Sequence, residues 1–226
     1  MEPRSISART HGRYLVRRPD SDGPWPVFVG FHGYGESAAI QMATLERIPG
    51  SDGWLLVAVQ GLHRFYRKDG DVVASWMTKE DRELAIADNV AYVRDVVDAV
   101  GAEFPTSGTL LFAGFSQGVA MAFRAAAHIR ADALIVLGGD VPLDVAAGTS
   151  VPLPGVLYGR GRSDGIYPAE RHAADLVTLE RLGVAVESVV FDGGHDWTPE
   201  FLTAVGRALT TAPSPPRSPA APAPSR

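Results

Sequence analysis

The chain has no cysteine. That absence excludes disulfides, thiolate zinc sites and a cysteine nucleophile, and it leaves the redox compartment open. Positive charge is not in excess either. Lys and Arg number 21 against 26 Asp and Glu, a net charge of −5, so there is no electrostatic footprint for nucleic acid or an anionic membrane. No run of 18 or more apolar residues occurs, which argues against a membrane-spanning helix. The first residues, Met1-Glu2-Pro3-Arg4-Ser5-Ile6-Ser7, lack the apolar core of a secretory signal, and a cytoplasmic location is the resulting expectation. Walker, H-E-x-x-H and EF-hand patterns are missing. Gly159-x-Gly161 is a near miss for a dinucleotide loop, because Asp164 stands where the third glycine would fall.

What is present is an ordinary globular composition over 226 residues, 46% hydrophobic and 21% charged, a length that suits one α/β domain. Short apolar runs at 27–31, 55–59, 110–113, 133–137, 156–158 and 186–191 read as strands covered on both faces. Stretches of helical period lie near 36–48, 79–103, 117–130, 168–183 and 199–210. In the second, Ile86, Val90, Val93, Val97 and Val100 make one apolar stripe, and Thr78-Lys79-Glu80-Asp81 offers a start like a capping box. Thr198-Pro199 supplies a cap and a first-turn proline for the last helix. This order predicts a doubly wound, mainly parallel sheet in three layers, with residues 12–17 adding an antiparallel N-terminal edge. Residues 60–78 show no regular pattern and read as a surface excursion near the strand ends. The domain is expected to span 1–211. The Pro/Ala/Ser-rich segment 212–226 cannot bury a core and is expected to be a disordered tail.

The chemistry begins at Gly114-Phe115-Ser116-Gln117-Gly118, which follows one of the apolar runs and opens a helical stretch. Strand, sharp glycine-flanked turn with one serine, then helix is the layout of a nucleophile elbow. It lifts the Ser116 hydroxyl clear of the sheet, where N–H groups at a helix start can stabilise an oxyanion. Such a serine needs a base after the last strand and an acid before it. Of six histidines, only His195 follows the last strand, in Asp192-Gly193-Gly194-His195-Asp196-Trp197. Asp164, after the strand ending near Tyr158, is favoured as the acid. Asp140, after the preceding strand, is its rival, and Asp196 stands too near His195 in sequence to orient the ring. The oxyanion donors would be the backbone N–H of Tyr34, in Phe31-His32-Gly33-Tyr34-Gly35-Glu36, and that of Gln117. His32 reads as a brace for that loop.

These motifs resemble the phospholipase/carboxylesterase group of serine α/β-hydrolases, which takes in acyl-protein-thioesterase-like enzymes. The resemblance rests on His32-Gly33-Tyr34-Gly35, Gly114-Phe115-Ser116-Gln117-Gly118, Gly161-Arg162-Ser163-Asp164 and Gly193-Gly194-His195, in order, over roughly residues 27–210. It implies an α/β-hydrolase fold and hydrolysis of a small-molecule ester or thioester by Ser116, His195 and Asp164. It implies no metal and no organic cofactor. Glu36 departs from the aspartate that many members carry there, and residues 74–81 match only loosely.

Tyr34, Trp76, Phe115, Tyr167 and Trp197 are the aromatic candidates for walls of an acyl or aryl pocket. Arg64, Arg67 and Lys68 can be read as a greeting for an anionic substrate or, preferably, as a solvated loop face. Amide hydrolysis, lyase or perhydrolase chemistry on the same triad is the alternative, followed by a binding protein on a hydrolase scaffold. Nothing in the sequence marks an oligomeric state.

Overall fold

The parallel sheet follows from the apolar runs. The computed structural model describes residues 2–149 and 151–211; the segment 212–226, expected as a tail, lies outside them. Seven strands pair in the order β1 (Arg13–Arg17), β3 (Leu55–Gln60), β2 (Trp25–Phe31), β6 (Thr106–Phe115), β7 (Ala133–Leu137), β8 (Gly155–Gly161) and β9 (Val186–Phe191). Every pairing is parallel except that of β1 with β3, so the edge strand expected from residues 12–17 is there.

Successive side chains of a strand point to opposite faces, and both faces are covered. Val27, Val29 and Phe31 of β2, with Phe112 of β6 and Leu134 and Val136 of β7, pack on one side. There they meet α2 (Arg82–Glu103), α3 (Gln117–His128), the short α4 (Leu143–Ala146) and α5 (Ala169–Arg181). Phe28, Leu111, Ala113, Ile135 and Leu137 point the other way, into α1 (Ala38–Glu46) and α6 (Pro199–Thr211). Burial on both faces is why these runs read as continuous rather than alternating. The sheet order places β2 and β6 side by side. The chain winds outward from them in both directions, and the crevice above their C-terminal ends is where such sheets carry their sites.

Three local expectations are corrected. The stretch 60–78 is not irregular: it forms an antiparallel hairpin, β4 (His63–Tyr66) with β5 (Val72–Ser75). Its strands are four residues each, too short to leave a periodic signal. Helix α2 buries Ala85, Asn89, Val93, Val96 and Val100, so Ile86, Val90 and Val97 flank the contact line rather than form it. The Thr78 capping box does not form. Asp81 occupies the cap in a left-handed conformation without a side-chain bond to the helix, and the Thr78 hydroxyl donates to Glu80 O at 2.7 Å. Thr198 does cap the last helix, its Oγ1 accepting from Phe201 N–H at 3.4 Å.

Candidate active site

Ser116 leaves β6 with φ 52° and ψ −118°, a conformation strained for any residue with a Cβ. Two bonds hold it. Its N–H donates to Leu137 O of the neighbouring β7 at 2.9 Å, and its carbonyl accepts from Val119 N–H at 3.0 Å. The flanking glycines serve close approach. A Cβ on Gly118 would sit 2.1 Å from Phe31 O, and one on Gly114 would sit 2.4 Å from Gly118 O. The first turn of α3 is thus pressed directly against the backbone leaving β2.

The loops after β8 and β9 bring Asp164 and His195 together, Oδ2 to Nδ1 at 2.7 Å. Asp164 is buried, and its Oδ1 accepts from the N–H groups of Ile166 (2.9 Å) and Tyr167 (2.8 Å). A carboxylate so placed can only accept, so Nδ1 carries the ring proton and Nε2 keeps its lone pair. That Nε2 is buried without a hydrogen-bond partner among the described residues. The imidazole packs on Phe115, the residue before Ser116, at 4.9 Å between ring centroids. It also lies over Gly138, where a Cβ would come within 2.9 Å of Cε1. Among the described residues no hydrogen bond joins Ser116 to His195. Asp140 turns away to Arg171, 3.2 Å distant. Asp196 accepts from its own neighbour, Trp197 N–H, at 2.7 Å.

The loop after β2 is braced from several sides. Gly61 N–H donates to His32 Nε2 at 3.0 Å, which leaves the proton on Nδ1 to reach Gly33 O at 2.7 Å. Burial pushes the His32 pKa down to about 4, so the ring is neutral. Trp76 Nε1–H donates to His32 O at 2.8 Å. Glu36 Oε2 accepts from Gly33 N–H at 2.7 Å, and burial pushes this carboxyl upward against the pull of that amide and of His195. The hairpin is stitched on by Gly35 N–H to Ala74 O (3.0 Å) and Ala74 N–H to Glu36 O (2.8 Å). The Gln117 side chain joins the same corner. Its Oε1 accepts from Trp76 N–H at 2.9 Å, and its Nε2 donates to Ser75 Oγ at 3.1 Å while that hydroxyl donates to Met77 O. The backbone N–H groups of Tyr34 and Gln117 have no acceptor among the described residues.

Two cavities open from this point. One, of about 560 Å³, is lined by Ser116 and Gln117 together with Asp140, Tyr167, Arg171 and Asp175. The other, of about 660 Å³, runs between the hairpin and the start of α2 and includes Tyr34. They share Met77, Arg82 and Gln117. Of the aromatic candidates, Tyr34 and Tyr167 therefore reach a cavity wall. Trp76, Phe115 and Trp197 line neither cavity; they are buried beneath, Trp76 against Phe31 and His32, and Trp197 between Phe115 and Phe201. Arg67 is satisfied by Asp69 and Asp71 at the hairpin tip, which fits the solvated reading of that residue.

Asp175 had no signal in the sequence. In the first cavity it closes a chain in which Tyr158 OH donates to Gly139 O (2.5 Å), the two tyrosine oxygens lie 2.7 Å apart, and Tyr167 OH donates to Asp175 (2.6 Å). Tyr158 OH also lies 3.1 Å from the same Asp175 oxygen; the two phenol protons cannot fill all four contacts, and a proton on Asp175 would supply one more. Burial pushes the Asp175 carboxyl in that direction.

The sheet order, the strained turn after β6 and the loops converging above it define an α/β-hydrolase fold. At the level of sequence, no family model and no curated protein matches the chain. Among solved structures it is similar to esterase PE8, at 22% identity and a TM-score of 0.71 over 90% of this chain and 100% of that one. It is also similar to a Bacillus cereus carboxylesterase (17%, TM-score 0.70, 88% and 93%). A third is Zea mays acyl-protein thioesterase 2 (19%, TM-score 0.69, 88% and 98%). The structural neighbours thus come from the group that the sequence motifs resemble. Among the described residues no helix is long and apolar enough to cross a membrane, and no group of three or more His, Asp or Glu side chains is placed to hold a metal ion.

Proposed function

We propose that the protein hydrolyses carboxylic esters or thioesters through an acyl-serine intermediate, with Ser116 as nucleophile, His195 as base and Asp164 as its support. One observation carries the reading: a strained serine turn beside an imidazole whose Nδ1 is fixed by a buried carboxylate and whose Nε2 is unpartnered. Ser116 Oγ bonds to the acyl carbon while its proton passes to His195 Nε2. The carbonyl oxygen takes the negative charge and is held by the N–H groups of Tyr34 and Gln117. Asp164 stabilises the imidazolium without taking its proton. Collapse breaks the bond to the leaving group, which receives that proton from Nε2. Water then attacks the acyl-serine by the same route and releases the acid. That the structural neighbours are esterases and a thioesterase supports the same reading.

A fluorophosphonate probe should label Ser116 and no other residue, and short p-nitrophenyl esters should be turned over with Ser116→Ala inactive. Asp164→Asn should lower kcat on the order of 10⁴-fold, and Asp140→Asn far less, because Asp140 is engaged with Arg171. Labelling elsewhere, or the reverse ranking of the two aspartates, overturns the assignment.

A further inference from the structure

The larger cavity differs from its neighbour in charge. Arg64, Lys79 and Arg82 line it, and no carboxylate does. Glu80, Asp81 and Glu83, from the same stretch of chain, stay outside its wall. None of the three cations is in an ion pair among the described residues; the Arg64 guanidinium donates to a backbone carbonyl, His11 O, at 2.9 Å. Solvated cations on a convex face need no explanation, but these edge a concavity. Within it, His63 Nε2 is buried and without a hydrogen-bond partner, although buried ring nitrogens normally have one. Tyr34 and Phe65, with rings 5.5 Å apart, form an apolar shelf along the same wall. Gln117 connects this wall to the nucleophile turn.

An apolar shelf leading from the scissile position to a positive, carboxylate-free end suits a substrate half with a short carbon chain and a terminal oxyanion. Three exposed cations converging on one groove can give such a group charge-assisted hydrogen bonds that a single surface cation cannot. We propose that this cavity binds an anionic end group, a carboxylate or a phosphate, on one half of the ester that Ser116 attacks. The proposal rests on the reading of Ser116 as nucleophile. It assigns Arg82 and Lys79 the main contacts, with His63 Nε2 as a further partner.

The test compares p-nitrophenyl esters of equal acyl length ending in a carboxylate, a phosphate or a neutral amide. The wild type should prefer an anionic end over the amide by about tenfold in kcat/KM, the discrimination that one charge-assisted hydrogen bond gives. Which anion is preferred separates the two chemical sources. Lys79→Gln and Arg82→Gln should bring the ratio toward one, and Arg82→Glu should lower it further. Lys68→Gln, outside the cavity, should leave the ratio as it is. Melting temperatures separate loss of recognition from loss of fold. Calorimetry of glutarate and of inorganic phosphate on the Ser116→Ala protein reads the same site without chemistry. Charge-dependent binding there with no ester turned over would remove the hydrolase reading and keep the anion site. Equal rates on all three esters with no such binding, or a preference untouched by the Lys79 and Arg82 variants, overturns the proposal.

Discussion

Lowering the pH should weaken this protein through one side chain, His32. Its Nε2 accepts from Gly61 N–H and its Nδ1–H reaches Gly33 O, so the folded protein requires the neutral ring. A second proton would set two donors against each other at 3.0 Å. The pKa falls from the ordinary 6.5 to about 4 on burial. The unfolded chain therefore binds a proton that the folded chain refuses between those values. Stability is fully present above 6.5 and is lost as pH falls through about 4, with a limiting slope of about 1.4 kcal/mol per pH unit and a total of about 3 kcal/mol. Urea unfolding followed by tryptophan fluorescence, from pH 7.5 to 4, measures it. His32→Gln serves as the comparison, because every other titrating group is common to both proteins. The variant should start lower, by roughly 1–3 kcal/mol for a weakened bond at Gly61 N–H, and the two curves should converge as the pH drops. Parallel curves would refute the account, since they would mean that the His32 ring is not held neutral.

Three further outcomes are expected. Gly118→Ala should cost about 1–3 kcal/mol from overpacking and slow fluorophosphonate labelling, because the added Cβ meets Phe31 O at 2.1 Å; an unchanged melting temperature would count against that contact. Trp76→Phe deletes the donor to His32 O and leaves a void at a fully buried site; it should cost about 2–4 kcal/mol and lower kcat more than it raises KM. Asp175 has a folded pKa above its ordinary value, so its contribution to stability is present in acid and falls as pH rises through the raised value. Asp175→Asn carries an N–H donor at every pH, and its stability should lack that decline; an identical pH dependence in both proteins would show that Asp175 does not hold the proton.

Legibility in the sequence followed the scale of each signal. The parallel strands were readable because burial on both faces writes unbroken apolar runs such as 55–59 and 133–137. The sharp turn at Ser116 and the loop that sets His195 beside Asp164 were readable because glycines fix where a backbone must turn or approach another. The hairpin was not, since four-residue strands with one half-covered face carry no period. Which aromatic rings face a cavity was also hidden. Trp76 and Tyr167 look alike as letters, yet one is spent on His32 O and the other on Asp175 and a cavity wall. The face of α2 was misjudged by one residue because Asn89, a polar residue, sits in the middle of its buried line, bonded to Trp76 O and Ala85 O.

The seam between the hairpin and the loop after β2 has a mechanical consequence. Two backbone hydrogen bonds tie Ala74 to Gly35 and Glu36, and the Tyr34 amide sits one residue away. The cavity wall and that amide therefore form a single lever, with the Gln117 side chain as its fulcrum on the serine turn. A group held by Lys79 or Arg82 would rest against this wall and so against the strand tied to that amide. Part of its binding energy would then help to place that amide and appear in kcat, beside the ground-state binding that calorimetry reads.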